Sequence, residues 1–302
     1  MQNILIQSFC YVAIIILGIV LRRLGFFKAE DFTVLSKIAI RITLPASIVV
    51  SFSEQTFDVS LLMITLLSLG CGALYMFLGY LLRPRASMDK KAFSLLNLAG
   101  YNIGNFTMPF ALSFLGPTGV IATSLFDTGN AVICLGGAYG IAALVKEGSG
   151  FSLKRILGLL VRSIPFMCYI VMVILCLLHL SLPTPVTSFL GVLADANVFL
   201  AMLMIGIGLE LKADTKKLRT IIKILSIRYG IGILFALAFY YLLSVPMEAK
   251  LALIIMVFSP PSTCMPAFTE ELKEDVGLSG AINSISTVIS VVIIIAILSV
   301  ML

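Results

Sequence analysis

Apolar runs long enough to cross a bilayer follow one another along nearly the whole chain, separated by short polar connections. A spanning helix needs about 20 mainly apolar residues. Ten segments meet that length: roughly 4–21, 32–52, 59–82, 92–115, 119–145, 154–180, 185–211, 217–244, 248–271 and 277–301. Only 12% of the residues are charged and 60% are hydrophobic, whereas soluble domains carry about 25% charge. The chain therefore reads as an all-α membrane protein of ten transmembrane helices. Cys10, Cys71, Cys134, Cys168, Cys176 and Cys264 all lie inside apolar runs, with neither zinc-ligand spacing nor a paired extracellular pattern, and read as packing residues.

The net charge of +6 would suggest nucleic acid in a soluble protein, but here the basic residues sit between apolar runs and set orientation. The connections after segments one, three, five and seven hold Arg22, Arg23 and Lys28; Arg83, Arg85, Lys90 and Lys91; Lys146, Lys154 and Arg155; and Lys212, Lys216, Lys217 and Arg219. The connections after segments two, four, six and eight hold almost nothing basic except Lys250. The positive-inside rule then places the basic connections in the cytoplasm and both termini outside, in a cell inner membrane, with lipid rather than nucleic acid as the partner. The first run has no basic residue before it and no small-residue cleavage site after it, so it is expected to be retained as a helix.

Two segments are too polar to be plain spans. Asn97 to Pro109 carries three amides, two glycines and a proline, and Ser259-Pro-Pro-Ser-Thr-Cys-Met-Pro266 ends on the same Met-Pro pair. Non-helical backbone survives at membrane depth only where protein or a wet cavity satisfies its polar groups, so these read as matched broken helices around a site. Ten helices divide into five and five, and an odd-numbered unit repeated in tandem must insert upside down the second time. The expected repeats are 1–145 and 154–302, joined by a short Gly-Ser loop. Thr123, Asp127, Asn130 and Cys134 share one helix face, and Ser279, Asn283, Ser286 and Ser290 recur at the same intervals.

These motifs carry a resemblance. Asn-x-x-Asn-x-x-x-Pro, then Leu-Gly-Pro-x-Gly, Asp-x-x-Asn, a proline-rich broken helix and a Ser/Thr-lined last helix resemble the auxin efflux carrier family, in its compact bacterial branch. The likeness covers essentially the whole chain and is most specific over residues 97–130 and 259–287. It implies a secondary transporter of small organic anions, mono- or dicarboxylates such as malate or malonate, or auxin-like acids. It also implies elevator-type alternating access, in which a core of segments 3–5 and 8–10 moves against a scaffold of segments 1, 2, 6 and 7, and a possible homodimer.

Pro109 and Pro266 would each end one half-helix and open the next, directing two helix N-termini at the midplane, where an anion would be attracted. Asn102, Asn105, Ser259, Ser262 and Thr263, with Asn130 and Asn283 on the following helices, could add hydrogen bonds, and freed carbonyls could hold a cation. The bland alternative is a pair of ordinary proline kinks. Asp127 is a costly lone carboxylate at depth and must be protonated, paired or bound to a cation. It is the candidate for coupling to H+ or Na+, or else a structural acid held by amides; no other cofactor is implied. Arg41 reads as half of a structural or gating pair with Asp127 or Asp195, or as the receiver of the substrate carboxylate, and Asp195 shares that ambiguity. Arg162, Lys223 and Arg228 read as snorkelling anchors, and His179 as a surface residue. Gly100/Gly104 and Gly136/Gly140 read as close helix packing.

Enzyme readings are weaker. Asp127-Thr128-Gly129 spells a pepsin-like triplet but sits in an apolar helix, a membrane aspartyl dyad would need Asp127 beside Asp195, and no P-loop is present. A sodium-coupled bile-acid-type symporter shares the expected plan, and an anion channel is the alternative from another class.

Overall fold

A computed structural model describes residues 2–28, 30–53, 59–81, 85–148, 150–209 and 217–302; Arg83, Lys212 and Lys216 lie outside them. The chain begins with α1 (Gln2–Arg23), α2 (Asp31–Ile38), α3 (Leu44–Ser53) and α4 (Met63–Leu81). There follow α5 (Met88–Leu98), α6 (Met108–Phe114), α7 (Pro117–Val132), α8 (Ala138–Glu147), α9 (Leu153–Arg162) and α10 (Ile164–Leu177). The remainder is α11 (Thr184–Gly208), α12 (Leu218–Leu242), α13 (Met247–Val257), α14 (Met265–Glu271) and α15 (Val276–Met301). No strand occurs among the described residues.

Six helices are long and apolar enough to cross a membrane: Asp31–Ser53, Ser60–Leu81, Pro117–Glu147, Thr184–Gly208, Leu218–Leu242 and Val276–Met301. A seventh is added if α9 and α10 count as one bent span. Of the other expected segments, the first is helical as α1, and the fourth and ninth are each divided into halves of 11 and 7 residues, too short to span alone.

The sixth segment corrects the expectation of one straight helix over 154–180. It bends by 78° at Ser163, whose extended backbone (φ −80°, ψ 111°) ends α9 and whose hydroxyl caps α10 by accepting from the Phe166 N–H. Pro165 lies in the first turn of α10, where its missing N–H costs nothing. α9 is amphipathic, burying only Ile156 and Leu160 while Lys154, Arg155 and Arg162 share its surface with exposed Leu153, Leu157 and Val161.

Three stretches widen to π turns: Ala39–Thr43, Ile103–Thr107 and Ile133–Gly137. The first two lead into Pro45 and Pro109. A proline ring clashes with the carbonyl four residues back, here Arg41 and Asn105, and the wider turn relieves that clash. The third holds Gly136 at φ 145°. Gly100 at φ 71° and Gly136 are thus backbone breaks rather than the helix-packing pairs expected. Close packing falls instead to Gly18 of α1 and Gly206 of α11, where an added Cβ would lie 2.5 Å from the Leu203 carbonyl and 2.1 Å from the Ile15 carbonyl respectively.

The loops gather at two ends. At one, Arg22 donates to the Ile207 carbonyl (2.6 Å), Lys146 pairs with Asp89 and Glu274, Arg155 with Glu271 and Lys217 with Asp275. At the other, Gln7 reaches Ser113, and Gly116 abuts Glu248. The basic connections therefore share one end of the bundle.

Candidate functional site

Helix α5 stops at Leu98 because Gly100 takes a left-handed conformation that an L side chain rarely adopts, at a point where a Cβ would meet Cys134 Sγ at 2.6 Å. The exposed backbone of this first break is served by Asn130 of α7. Its Oδ1 accepts the Tyr101 N–H (2.9 Å), and its Nδ2 donates to the Tyr101 carbonyl (2.9 Å) and to Asp127 Oδ1 (3.0 Å). The second break, between α13 and α14, contains Pro260 and Pro261, which have no N–H to satisfy. Asn283 of α15 donates to the Pro261 and Ser262 carbonyls at 3.0 and 3.2 Å. The breaks cross and touch: the Asn102 N–H donates to the Pro260 carbonyl (2.9 Å), and the Thr107 and Ser259 hydroxyls are hydrogen-bonded.

Behind the crossing lies a residue that the sequence reading placed elsewhere. Arg228 of α12 is not a snorkelling anchor but fully buried, at 0% exposure. Its guanidinium donates to the carbonyls of Leu98 (2.6 Å), Gly100 (2.9 Å) and Ser259 (2.8 Å), the carbonyls left open where α5 and α13 end. The rings of Tyr75 and Tyr101 lie 5.4 and 5.1 Å from it, within cation–π range. Helix C-termini carry partial negative charge, so one cation neutralises two of them.

Asp127 is half-buried and faces Gly104 of the first broken segment. Its second oxygen accepts from Tyr169 OH of α10 (3.0 Å), so the acid is held by an amide and a phenol with no ion pair among the described residues. Arg41 and Asp195 are both exposed and make no ion pair with each other or with Asp127 among the described residues. Beside Asp195, Asn197 accepts from Thr43 (2.8 Å), tying α11 to the π turn before α3.

A cavity of about 520 Å³ opens beside the crossing. Asn102, Asn105, Thr263, Pro266 and Asn283 line it, and Ser284 and Thr287 join them. Asn105 Oδ1 is buried with no partner among the described residues. The remaining described walls are apolar, and no charged side chain among the described residues lines the cavity. Gly208 and Leu209 at the end of α11 and Val276 and Gly277 at the start of α15 place its mouth at the end of the basic connections. Among the other expected residues, Ser259 is buried against Thr107, Pro109 is buried in the first turn of α6, Asn130 is buried against Tyr101, and Ser262 caps the Cys264 N–H. Thr287 stands four residues after Asn283, so the helical period could have revealed it; Arg228 and Tyr169 left no pattern of their own.

No protein-family model matches the chain. It is similar to a curated protein of Methanothermobacter thermautotrophicus described as an uncharacterized transporter, with 25% identity over 291 residues that cover 92% of each chain. The chain is transporter-like. The similarity runs nearly end to end.

Proposed function

We propose that this protein is a secondary transporter of small organic anions, built on the auxin-efflux-carrier plan of ten spans in two inverted repeats. The observation that carries the reading is the convergence of Asn102, Asn105, Thr263 and Asn283, from both broken segments and the last helix, on one cavity. Its volume lies within the usual range for small-molecule sites, about 300–1,000 Å³. Amides and hydroxyls surrounded by apolar walls, with no cation among the described residues, suit a monocarboxylate with a hydrophobic body better than a dicarboxylate such as malate. A second carboxylate would be desolvated there without a partner.

Asp127 is the coupling group in this reading. The crossing carbonyls that a sodium ion would need are taken up by Arg228, which favours a proton carried on Asp127 over the bile-acid-type sodium scheme. The Tyr169 bond joins Asp127 on α7 to α10, so movement of a core against a scaffold would break it, linking protonation to alternating access.

The test is uptake of a labelled arylacetate and of labelled malate into proteoliposomes, under an inside-alkaline pH gradient and then a sodium gradient. Arylacetate uptake that follows the pH gradient and is lost in Asn105→Ala supports the reading. Uptake driven by sodium alone would reassign the coupling, and a non-saturating anion conductance would replace a carrier with a channel.

A further inference from the structure

A second cavity, of about 410 Å³, lies at the bend between α9 and α10. Lys37 of α2, Arg41 of the following π turn and Arg162 at the end of α9 converge on it, and no acidic residue among those described lines it. All three cations are exposed, and among the described residues none of them makes an ion pair or hydrogen bond. Ser163 and Pro165 bring the N-terminus of the 14-residue α10 to the same place, adding a partial positive charge. Three like charges held together without a counterion are a liability unless an anion joins them.

The setting says which anion. α9 turns 78° away from α10 and carries apolar and basic residues on its outer surface, the pattern of a helix lying in the membrane interface. α2 has no buried residue, although its Phe32 packs against Gly208 of α11, and Arg41 sits in the π turn that follows it. The lie of α9 puts Arg162, at its end, at headgroup level on the end of the basic connections, and Lys37 and Arg41 line the same cavity. Leading away from the cavity along α10, Ile164, Met167, Val171 and Ile174 are exposed at helical spacing, an apolar track for an acyl chain. A free phosphate would have no use for that track.

We propose that this cavity binds the phosphodiester of an anionic phospholipid, with Lys37, Arg41 and Arg162 on the headgroup and an acyl chain along α10. The site is independent of the transport reading. It is tested by the melting temperature of the delipidated protein, and by native mass spectrometry of retained lipid, in mixed micelles with added dioleoylphosphatidylglycerol or dioleoylphosphatidylcholine. The phosphatidylglycerol should raise the melting temperature and stay bound; the phosphatidylcholine should do neither.

Each cation replaced by glutamine should weaken phosphatidylglycerol binding about five-fold, and Lys37→Gln/Arg41→Gln/Arg162→Gln together about a hundred-fold. Lys154→Gln, on α9 but outside the cavity, should leave binding unchanged. If the triple variant does not fold, Arg162→Gln alone and the charge-retaining Arg41→Lys carry the test, the first weakening binding and the second preserving most of it. Equal stabilisation by phosphatidylcholine, an equal loss in Lys154→Gln, or a full shift with glycerol 3-phosphate or inorganic phosphate alone would each overturn the proposal.

Discussion

The two breaks that cross beneath the cavity solve one problem by different means. The first relies on a left-handed glycine, an amide that pairs both backbone groups of Tyr101, and a π turn that absorbs Pro109. The second has no residue of positive φ among those described; it removes donors with Pro260 and Pro261 and needs only carbonyl partners from Asn283. Asn130 and Tyr101 are buried, whereas Asn283 and Thr263 face the cavity. Around Tyr101 the first break is sealed by protein, although its Asn102 and Asn105 reach the cavity, while the carbonyls held by Asn283 in the second are partly left to solvent and ligand. Arg228 is the residue they share.

The largest expected effect comes from removing the shared residue. Arg228→Met leaves three buried carbonyls without donors at about 1–3 kcal/mol each, so it should not yield monodisperse protein on size exclusion. Arg228→Lys should recover little, since a single ammonium cannot reproduce the planar fork. A well-folded Arg228→Met with unchanged melting temperature would mean that the two breaks are held separately.

Next in size are the two clamps. Asn130→Ala strands the N–H and carbonyl of Tyr101 in protein and should cost about 2–3 kcal/mol. Asn283→Ala exposes carbonyls that cavity water can serve, and should cost about 1 kcal/mol. Thermal or denaturant unfolding of the pair decides the matter: equal losses would erase the contrast between a sealed and an open break. Gly100→Ala tests the same asymmetry, with about 1–2 kcal/mol expected from the left-handed backbone plus the displacement of Cys134. Alanine tolerated there would show that the first break does not depend on its glycine.

Asp127→Asn should change stability by about 1 kcal/mol or less, because Asn retains a carbonyl acceptor for Tyr169 or Asn130. Driven uptake should disappear while ligand-dependent stabilisation persists; intact accumulation in that variant would remove Asp127 from coupling.

The smallest effect lies at the start of α15. Burial alone would raise the carboxyl of Asp275, but Lys217 and the Leu278 N–H outweigh it and hold it below the usual carboxylate range. Its contribution is present above about pH 4 and lost as the pH falls through the depressed value, so Asp275→Asn should flatten the acid end of the stability profile slightly.

Much of this molecule was legible in the chain. Residues 97–109 and 259–266 announce the two breaks, because amides and prolines inside apolar runs have few other uses. Asn102, Asn105, Thr263, Pro266 and Asn283, singled out from those stretches and the last helix, all meet at one cavity. Arg228 was misplaced because counting residues from a helix end gives depth but not direction, and its partners are carbonyls, which every residue carries. Tyr169 was overlooked for a similar reason: a tyrosine in an apolar helix has no signature until the acid opposite it is known. The bend at Ser163 could have been read from Ser163-Ile164-Pro165, a cap followed by a first-turn proline, but the surrounding apolar run masked it.

By itself the sequence determined that the chain is helical and membrane-like, where the helices break, and which end gathers the basic loops, since these follow from local composition and backbone chemistry. Only the tertiary structure decided which carbonyls Arg228 holds, which amide serves which break, and that Lys37, Arg41 and Arg162 face one cavity. Those facts depend on contacts between residues 21 to 130 positions apart, and nothing local in the chain specifies them.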